Sequence, residues 1–233
     1  KHNNAIRALP KRDKERLQEG EPMDYIIGWS SFLGCRIDLS QKTLIPRPET
    51  EYWTKQAIED TKRRGKKQIR CLDMFAGSGC VGIAILRHLP NAFVDFADSE
   101  KECIKQIEIN ANGNAIEKHR FRIIKSDMFA NINDQYNYIF ANPPYCATND
   151  SKRVEHSVKD FEPPQALWGG EDGLCYIKKF LEDAKKFLKP KGVIYMEFDD
   201  DQKEELKNIL AMEGYAKWNF FKDPYGLWRW VRV

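Results

Sequence analysis

The sequence predicts an α/β fold, a mostly parallel sheet with helices on both faces, and three observations carry that expectation. From residue 69 onward, apolar strand-like runs alternate with amphipathic helical ones. A Gly-x-Gly-x-x-Gly turn (Gly77, Gly79, Gly82) joins the first of these strands to the first helix. The chain closes on YAKWNFFKD and LWRWVRV, two β-prone runs that predict an antiparallel pair. In a sheet of this kind, ligands bind beyond the carboxyl ends of the strands.

The elements follow in order. KHNNAIRALPKRDKERLQEG is polar, with a helix-like spacing of Ile6, Leu9 and Leu17, and DYIIGWSSFLGCRIDLS reads as strand-rich with turns at Gly28 and Gly34. PRPETE (46–51) punctuates the chain, EYWTKQAIED continues as an amphipathic helix, and TKRRGKKQ is a basic loop. IRCLDMF, AFVDFADS, FRIIKSD and YNYIFAN are expected strands, with helices CVGIAILRHL and SEKECIKQIEINANGN between the first three. DGLCYIKKFLEDAKKFLK is expected as one long helix stopped by Pro190 and Gly192, followed by strand GVIYMEF and helix DQKEELKNILAMEG. The expected division is residues 1–50, a helical remnant with a hairpin linker, and residues 51–233, the main domain.

Composition narrows the function classes. The chain has 233 residues, 42% hydrophobic and 31% charged, which supplies both a sizeable core and a solvated surface. No apolar run reaches the roughly 18 residues of a membrane helix. A net charge of +3 permits an acidic partner without demanding one. The six cysteines share no C-x-x-C spacing, and the histidines share no ligand spacing, so neither a zinc site nor a disulfide framework is expected. Scattered cysteines fit a reducing compartment, and the expected location is the cytoplasm, or the mitochondrion in a eukaryote. The chain opens on Lys1 rather than Met, so a trimmed start and a lost targeting signal are both compatible with it.

The glycine turn points to a nucleotide-containing cofactor, because glycines let such a ligand approach backbone N–H groups. Asp98 ends the next strand, 19 residues after Gly79, where a carboxylate can accept from two ribose hydroxyls. That much suits NAD as well as S-adenosylmethionine (SAM). Asp73 tilts the choice to SAM: an acidic residue there would crowd a pyrophosphate but suits a methionine ammonium, the alternative being a helix-capping carboxylate. SDMF (126–129) adds Asp127, able to accept from an adenine amino group, with Met128 or Phe129 covering the ring; Asp127 as a plain N-cap is the other reading.

ANPPYC (141–146) ends an apolar strand on two prolines, neither of which can donate a ladder hydrogen bond. The pair takes the backbone out of the sheet and exposes the Pro143 carbonyl. With the Asn142 side-chain oxygen it makes two acceptors able to grip the two N–H bonds of a planar amide or aromatic amine. Pro144 completes the wall, and Tyr145 can lie against the flat group. Cys146 reads as pocket wall, Trp218, Trp228 and Trp230 as a packing cluster, and the 62–67 run as a solvated connector or a weak nucleic-acid contact.

These motifs resemble a known family. Asn-Pro-Pro-Tyr is shared by several amino-methylating families, including adenine-N6 DNA methyltransferases. PRPETE upstream with FEPPQALWGGEDGL (161–174) downstream resembles the glutamine-N5 methyltransferases of peptide chain release factors, over roughly residues 20–233. The resemblance implies a Rossmann-like SAM-dependent fold: a mostly parallel seven-stranded sheet with an antiparallel closing pair, preceded by a helical segment and a β-hairpin. It implies methyl transfer to the glutamine of a Gly-Gly-Gln loop, with S-adenosylhomocysteine as product and the release factor as partner. A sister branch modifies a ribosomal protein glutamine. The implied sites are Phe75, Ala76, Gly77, Ser78 and Gly79 at SAM, Asp98 at the ribose, and Asp127 and Met128 at the adenine. Asn142, Pro143, Pro144 and Tyr145 would hold the glutamine, with Asn142 also near the cofactor. A monomer without metal, membrane or direct nucleic-acid contact is expected. An adenine-N6 methyltransferase and a non-catalytic SAM-binding module are the competing readings. Two departures stand out: only 20 residues precede EPMDYIIG, which would lower release-factor affinity while sparing SAM binding, and the turn reads FAGSG where the commoner motif has glycine at Phe75.

Overall fold

The computed structural model of the chain describes residues 10–65 and 67–233. The expected spacing of Ile6 and Leu9 lies outside these residues; Leu17 sits on helix α1 (Lys11–Gln18). Next comes α2 (Met23–Ile27), where the sequence predicted strand. Pro22 before it and Gly28 after it, in the left-handed region at φ 85°, bracket one helical turn. The Tyr25 hydroxyl anchors that turn by donating to the Thr43 carbonyl at 2.7 Å. The hairpin β1 (Trp29–Phe32) and β2 (Cys35–Asp38) follows as expected.

Helix α3 (Pro48–Arg63) begins inside PRPETE, because Pro48 at its first position needs no N–H partner and has a helical φ already. The sheet then builds from β3 (Ile69–Met74), α4 (Cys80–His88), β4 (Ala92–Asp98), α5 (Lys101–Gly113), β5 (Phe121–Lys125) and β6 (Tyr136–Ala141). A short α6 (His156–Phe161) precedes α7 (Cys175–Ala184). After one 3-10 turn at Lys185–Phe187 comes β7 (Leu188–Glu197). The long helix therefore stops earlier than expected, and Pro190 and Gly192 lie in the strand. Leu188 already pairs with Tyr136, and the register then jumps so that Tyr138 meets Val193. The extra residues on β7 form a bulge, a position a sheet proline tolerates. Helix α8 (Lys203–Met212) and the pair β8 (Asn219–Lys222) and β9 (Trp228–Arg232) complete the chain.

The strand order is β5-β4-β3-β6-β7-β9-β8. The first five strands run parallel, and β9 pairs antiparallel with both β7 and β8. Alternate residues of each buried strand go to opposite faces. Cys71, Val94, Phe96, Tyr138, Phe140 and Tyr195 pack with α3, α4, α5 and the hairpin. Leu72, Met74, Ile139, Ala141, Ile194 and Met196 pack with α7 and α8. The result is the three-layer α/β architecture the sequence predicted, with the N-terminal hairpin sharing the first of the two cores. No described helix is long and apolar enough to cross a membrane.

Candidate active site

β3 and β6 lie side by side and end together, Met74 opposite Ala141. The chain builds β3-β4-β5 to one side and β6-β7 to the other, so the segments leaving β3 and β6 diverge at the topological switch point. A cavity of ≈ 600 Å³ opens there, bordered by Phe75, Gly77, Asp98, Asp127, Met128, Asn142 and Pro144. Its size is in the range of about 300–1,000 Å³ usual for small-molecule sites. A narrow annex reaches Asp73, Ala76 and Ser78, with Asn142 on its rim.

The glycine turn is tied down from three sides. Gly79, at φ 78°, stands immediately before α4 in a conformation costly for any residue with a Cβ. Gly82 lets the helix approach β4, since a Cβ there would strike the Phe96 ring. The Gly77 N–H donates to Asp98 Oδ2 at 2.8 Å, and the Asn110 side-chain amide donates to the Ser78 carbonyl at 2.9 Å. Asn110 also donates to the Asp38 carbonyl at 3.1 Å, which couples the turn to the N-terminal hairpin. Phe75 adopts φ 58° without being glycine, and its ring packs edge-on against Tyr176 at 6.2 Å and near Phe180 at 6.1 Å.

Asp73 is 3% exposed and its Oδ2 accepts from the Gly82 N–H at 2.8 Å. The helix-capping alternative is thus realised by one oxygen, and the other remains. Burial pushes its pKa up to about 8, opposed by the Gly82 N–H and reinforced by the Asp98 charge. Asp98 is raised as well, again by burial, while N–H groups of Glu100 and Gly77 pull it back. Asp127 is exposed and caps no helix: its carbonyl accepts from the Ala130 N–H in a tight turn that also holds Met128 at φ 47°. Phe129 leaves the cavity and stacks on Phe187, with centroids 4.5 Å apart.

Asn-Pro-Pro-Tyr is clamped by the FEPPQALWGGEDGL segment. Cys146 N–H donates to the Leu167 carbonyl at 2.8 Å and Gly169 N–H to the Cys146 carbonyl at 2.9 Å. A Cβ on Gly169 would meet the Pro144 carbonyl, and one on Gly173 would meet the Tyr145 carbonyl, so both glycines are required by close approach. Glu162 carries the clamp to PRPETE, accepting from Ile45 N–H at 3.0 Å and from Arg47 at 2.5 Å. Among the described residues, no hydrogen bond is found to the Pro143 carbonyl. Pro143 is buried and does not border the large cavity. Tyr145 borders a separate cavity of ≈ 710 Å³ with Cys146, and its hydroxyl donates to Glu197 Oε1 at 2.8 Å.

Glu197 has no counterpart in the sequence reading. It is 1% exposed at the end of β7, and its Oε2 accepts from Thr50 Oγ1 and Trp53 Nε1, each at 2.6 Å. The Asn142 side-chain NH₂ in turn donates to Thr50 Oγ1 at 3.4 Å. Burial raises the Glu197 pKa, against the three donors and the charge of Arg229. Only the strand pattern of GVIYMEF hinted that Glu197 ends level with Asn142. No group of His, Cys, Asp or Glu side chains among the described residues is arranged to hold a metal.

A three-layer sheet of this order, with a glycine turn and an acidic strand end flanking a switch-point cavity, defines a methyltransferase domain, and family and fold imply SAM as its methyl donor. The model of the family described as Methyltransferase small domain matches residues 56–159. A release factor glutamine methyltransferase of Thermodesulfovibrio yellowstonii is 35% identical over 91% of this chain and 76% of its own length. The enzyme of that name from Lactococcus lactis is 31% identical over 94% of this chain and 79% of its own. The chain belongs to the release factor glutamine methyltransferase family. In fold it matches the solved hMettl16 catalytic domain in complex with MAT2A 3′UTR hairpin 6, at a TM-score of 0.64 and 18% identity over 86% of this chain and 75% of that one.

Proposed function

We propose that the protein transfers a methyl group from SAM to the side-chain amide nitrogen of the glutamine in the Gly-Gly-Gln loop of a peptide chain release factor. The observation that carries this reading is the position of Asn142 on the rim shared by the Asp98 cavity and the Asp73 annex. The free oxygen of Asp73 suits the methionine ammonium, and the walls from Phe75 to Gly79 suit the body of the cofactor. Asp98 keeps lone pairs for the ribose hydroxyls, since each carboxylate oxygen can accept twice. Asp127 and Met128 flank the adenine.

SAM, when bound, supplies an electrophilic methyl carbon on a sulfonium. The glutamine nitrogen is a poor nucleophile because its lone pair is delocalised into the carbonyl. Asn142 Oδ1 and the Pro143 carbonyl accept its two N–H bonds and aim the lone pair out of the amide plane. One N–C bond forms and one C–S bond breaks, its electron pair leaving with sulfur in S-adenosylhomocysteine. The methylated nitrogen sheds its surplus proton to water, so no strong base is required, and positioning supplies most of the acceleration. Pro144 walls the channel, and Tyr145 holds the motif in register through Glu197. Residues 1–50 would contact the release factor while residues 51–233 carry the transfer, acting as a monomer in the compartment where translation terminates.

The test is mass spectrometry of a release factor, its Gln→Glu and Gln→Asn loop variants and duplex DNA after incubation with SAM. One added methyl on the native loop is expected. A Glu carboxylate has no N–H to offer the two acceptors, a mismatch of about 1–3 kcal/mol or more. Asn is one methylene short, a misplacement worth roughly a hundredfold. Asn142→Ala should lower turnover by roughly two to three orders of magnitude and leave SAM binding intact. Methylation of the Glu variant, or of DNA but not the release factor, would overturn the reading.

A further inference from the structure

An amide such as Asn142 helps in this reaction in only one of its two orientations. Oδ1 toward the cavity offers an acceptor to the incoming N–H; NH₂ toward the cavity sets donor against donor. Something in the protein has to choose, and a chain of groups with obligatory polarity runs back from Asn142 into the core. The indole N–H of Trp53 can only donate, and it donates to Glu197 Oε2 at 2.6 Å, so that oxygen is an acceptor. As a carboxylate, the form its three donors and the Arg229 charge favour, Glu197 can only accept, so the Thr50 hydroxyl, 2.6 Å from the same oxygen, donates to it. Its single proton is then committed, and Thr50 Oγ1 presents only lone pairs to Asn142. The group facing it has to be NH₂, and the contact is found at 3.4 Å.

We infer that Thr50 and Glu197 are positioning residues that lock the Asn142 carboxamide with its oxygen toward the substrate amide. The inference rests on the proposed transfer to a glutamine amide. Thr50, Trp53 and Glu197 are all buried, 2%, 0% and 1% exposed, so water has little access to substitute for the missing partner. Tyr145, donating to the other Glu197 oxygen at 2.8 Å, ties the far end of the Asn-Pro-Pro-Tyr segment to the same carboxylate. One buried group thus holds both ends of the motif. Glu197→Gln has a specific consequence. The Trp53 N–H still requires an acceptor, so the new amide keeps its oxygen toward Trp53 and Thr50 and turns its NH₂ to the Tyr145 hydroxyl, which can accept. The facing of Asn142, and kcat, should survive this change.

The experiment compares Thr50→Val, Thr50→Ser and Glu197→Gln, each alone and on an Asn142→Ala background. Thr50→Val keeps shape and loses the hydroxyl; it should lower kcat on the release factor about 10- to 100-fold with KM for SAM unchanged. Thr50→Ser should recover most of that loss. On the Asn142→Ala background Thr50→Val should cost nothing further, because its whole effect passes through that amide. Independently of any substrate, the Asn142 side-chain NH₂ signals in ¹⁵N NMR should exchange with water faster in Thr50→Val than in the native protein. A wild-type kcat in Thr50→Val, failure of Thr50→Ser to rescue, a full loss persisting without Asn142, or unchanged NH₂ exchange would each overturn the inference. If the native protein leaves the release factor unmethylated while the NH₂ exchange responds as expected, the substrate reading fails and the positioning network stands.

Discussion

Asp98 Oδ2 accepts the Gly77 N–H at 2.8 Å, which makes the acidic end of β4 and the glycine turn a single unit. Its Oδ1 accepts the Glu100 N–H at 2.9 Å, so the carboxylate organises the start of α5 as well. Asp98→Ala removes these bonds and strands two backbone donors at a cost of about 1–3 kcal/mol in stability. SAM affinity should fall at least about tenfold, the equivalent of one lost bond to a charged acceptor. Asp98→Asn keeps one acceptor and should be milder in stability than in affinity. Calorimetric titration with SAM and thermal unfolding of both variants separate the two effects.

Asp73 links cofactor binding to protons. Its carboxyl is held at about 8 against an ordinary 3.8, so the native state binds this proton more tightly than the unfolded chain. The stability it contributes is complete below the ordinary value and drains away as pH rises through about 8. An arriving ammonium would ionise the group, and SAM binding at neutral pH should release close to one proton. Calorimetry in buffers of different ionisation enthalpy measures that release. In Asp73→Asn, whose amide oxygen can still accept from Gly82, the release should vanish and SAM affinity fall about tenfold or more. Its urea midpoint should also lose the decline toward alkaline pH.

Phe75 reverses a familiar order of stabilities. At φ 58° a residue with a Cβ is strained by roughly 1–2 kcal/mol, and the ring offsets this by packing on Tyr176 and Phe180. Phe75→Ala loses the ring and keeps the strain. Phe75→Gly loses both and should be the more stable of the two by about 1 kcal/mol, where glycine ordinarily ranks below alanine. Chemical denaturation of the pair decides it.

Gly173 holds the clamp against Asn-Pro-Pro-Tyr. At φ 72°, with the Tyr145 carbonyl and the Gln202 amide where a Cβ would be, Gly173→Ala must push the motif aside. Overpacking of this kind costs about 1–3 kcal/mol. On the proposed mechanism, a shift of Asn142 and the Pro143 carbonyl by an ångström, passed on from Tyr145, should reduce turnover roughly a hundredfold. Gly226→Ala is the control: at φ 89° in the β8–β9 hairpin it is strained but meets nothing within 4 Å, so activity should survive. Equal kinetic losses in the two variants would show that backbone strain, rather than displacement of the motif, is responsible.

Periodicity and local turn chemistry made most of the fold legible: strands alternate in period two, helices in 3.6, and glycine and proline mark the stops. They misled where a bracketed turn such as α2 resembles a strand, and where β7 takes in Pro190 and Gly192 by bulging. Asp73, Gly77, Asp98 and Asn142 were visible because each stands at a strand end or turn whose chemistry is local. Thr50 and Glu197, 147 residues apart, and Thr50 and Asn142, 92 apart, leave no such trace. Nothing near Glu197 in the chain says that a threonine and a tryptophan on α3 will converge on it. Nor does Tyr145 announce that its hydroxyl turns into the core. Residue type sets which bonds a side chain can make. Which partner it meets, and which way an amide must therefore face, depends on bringing α3, β6 and β7 together in a core with little water to satisfy the polar groups instead.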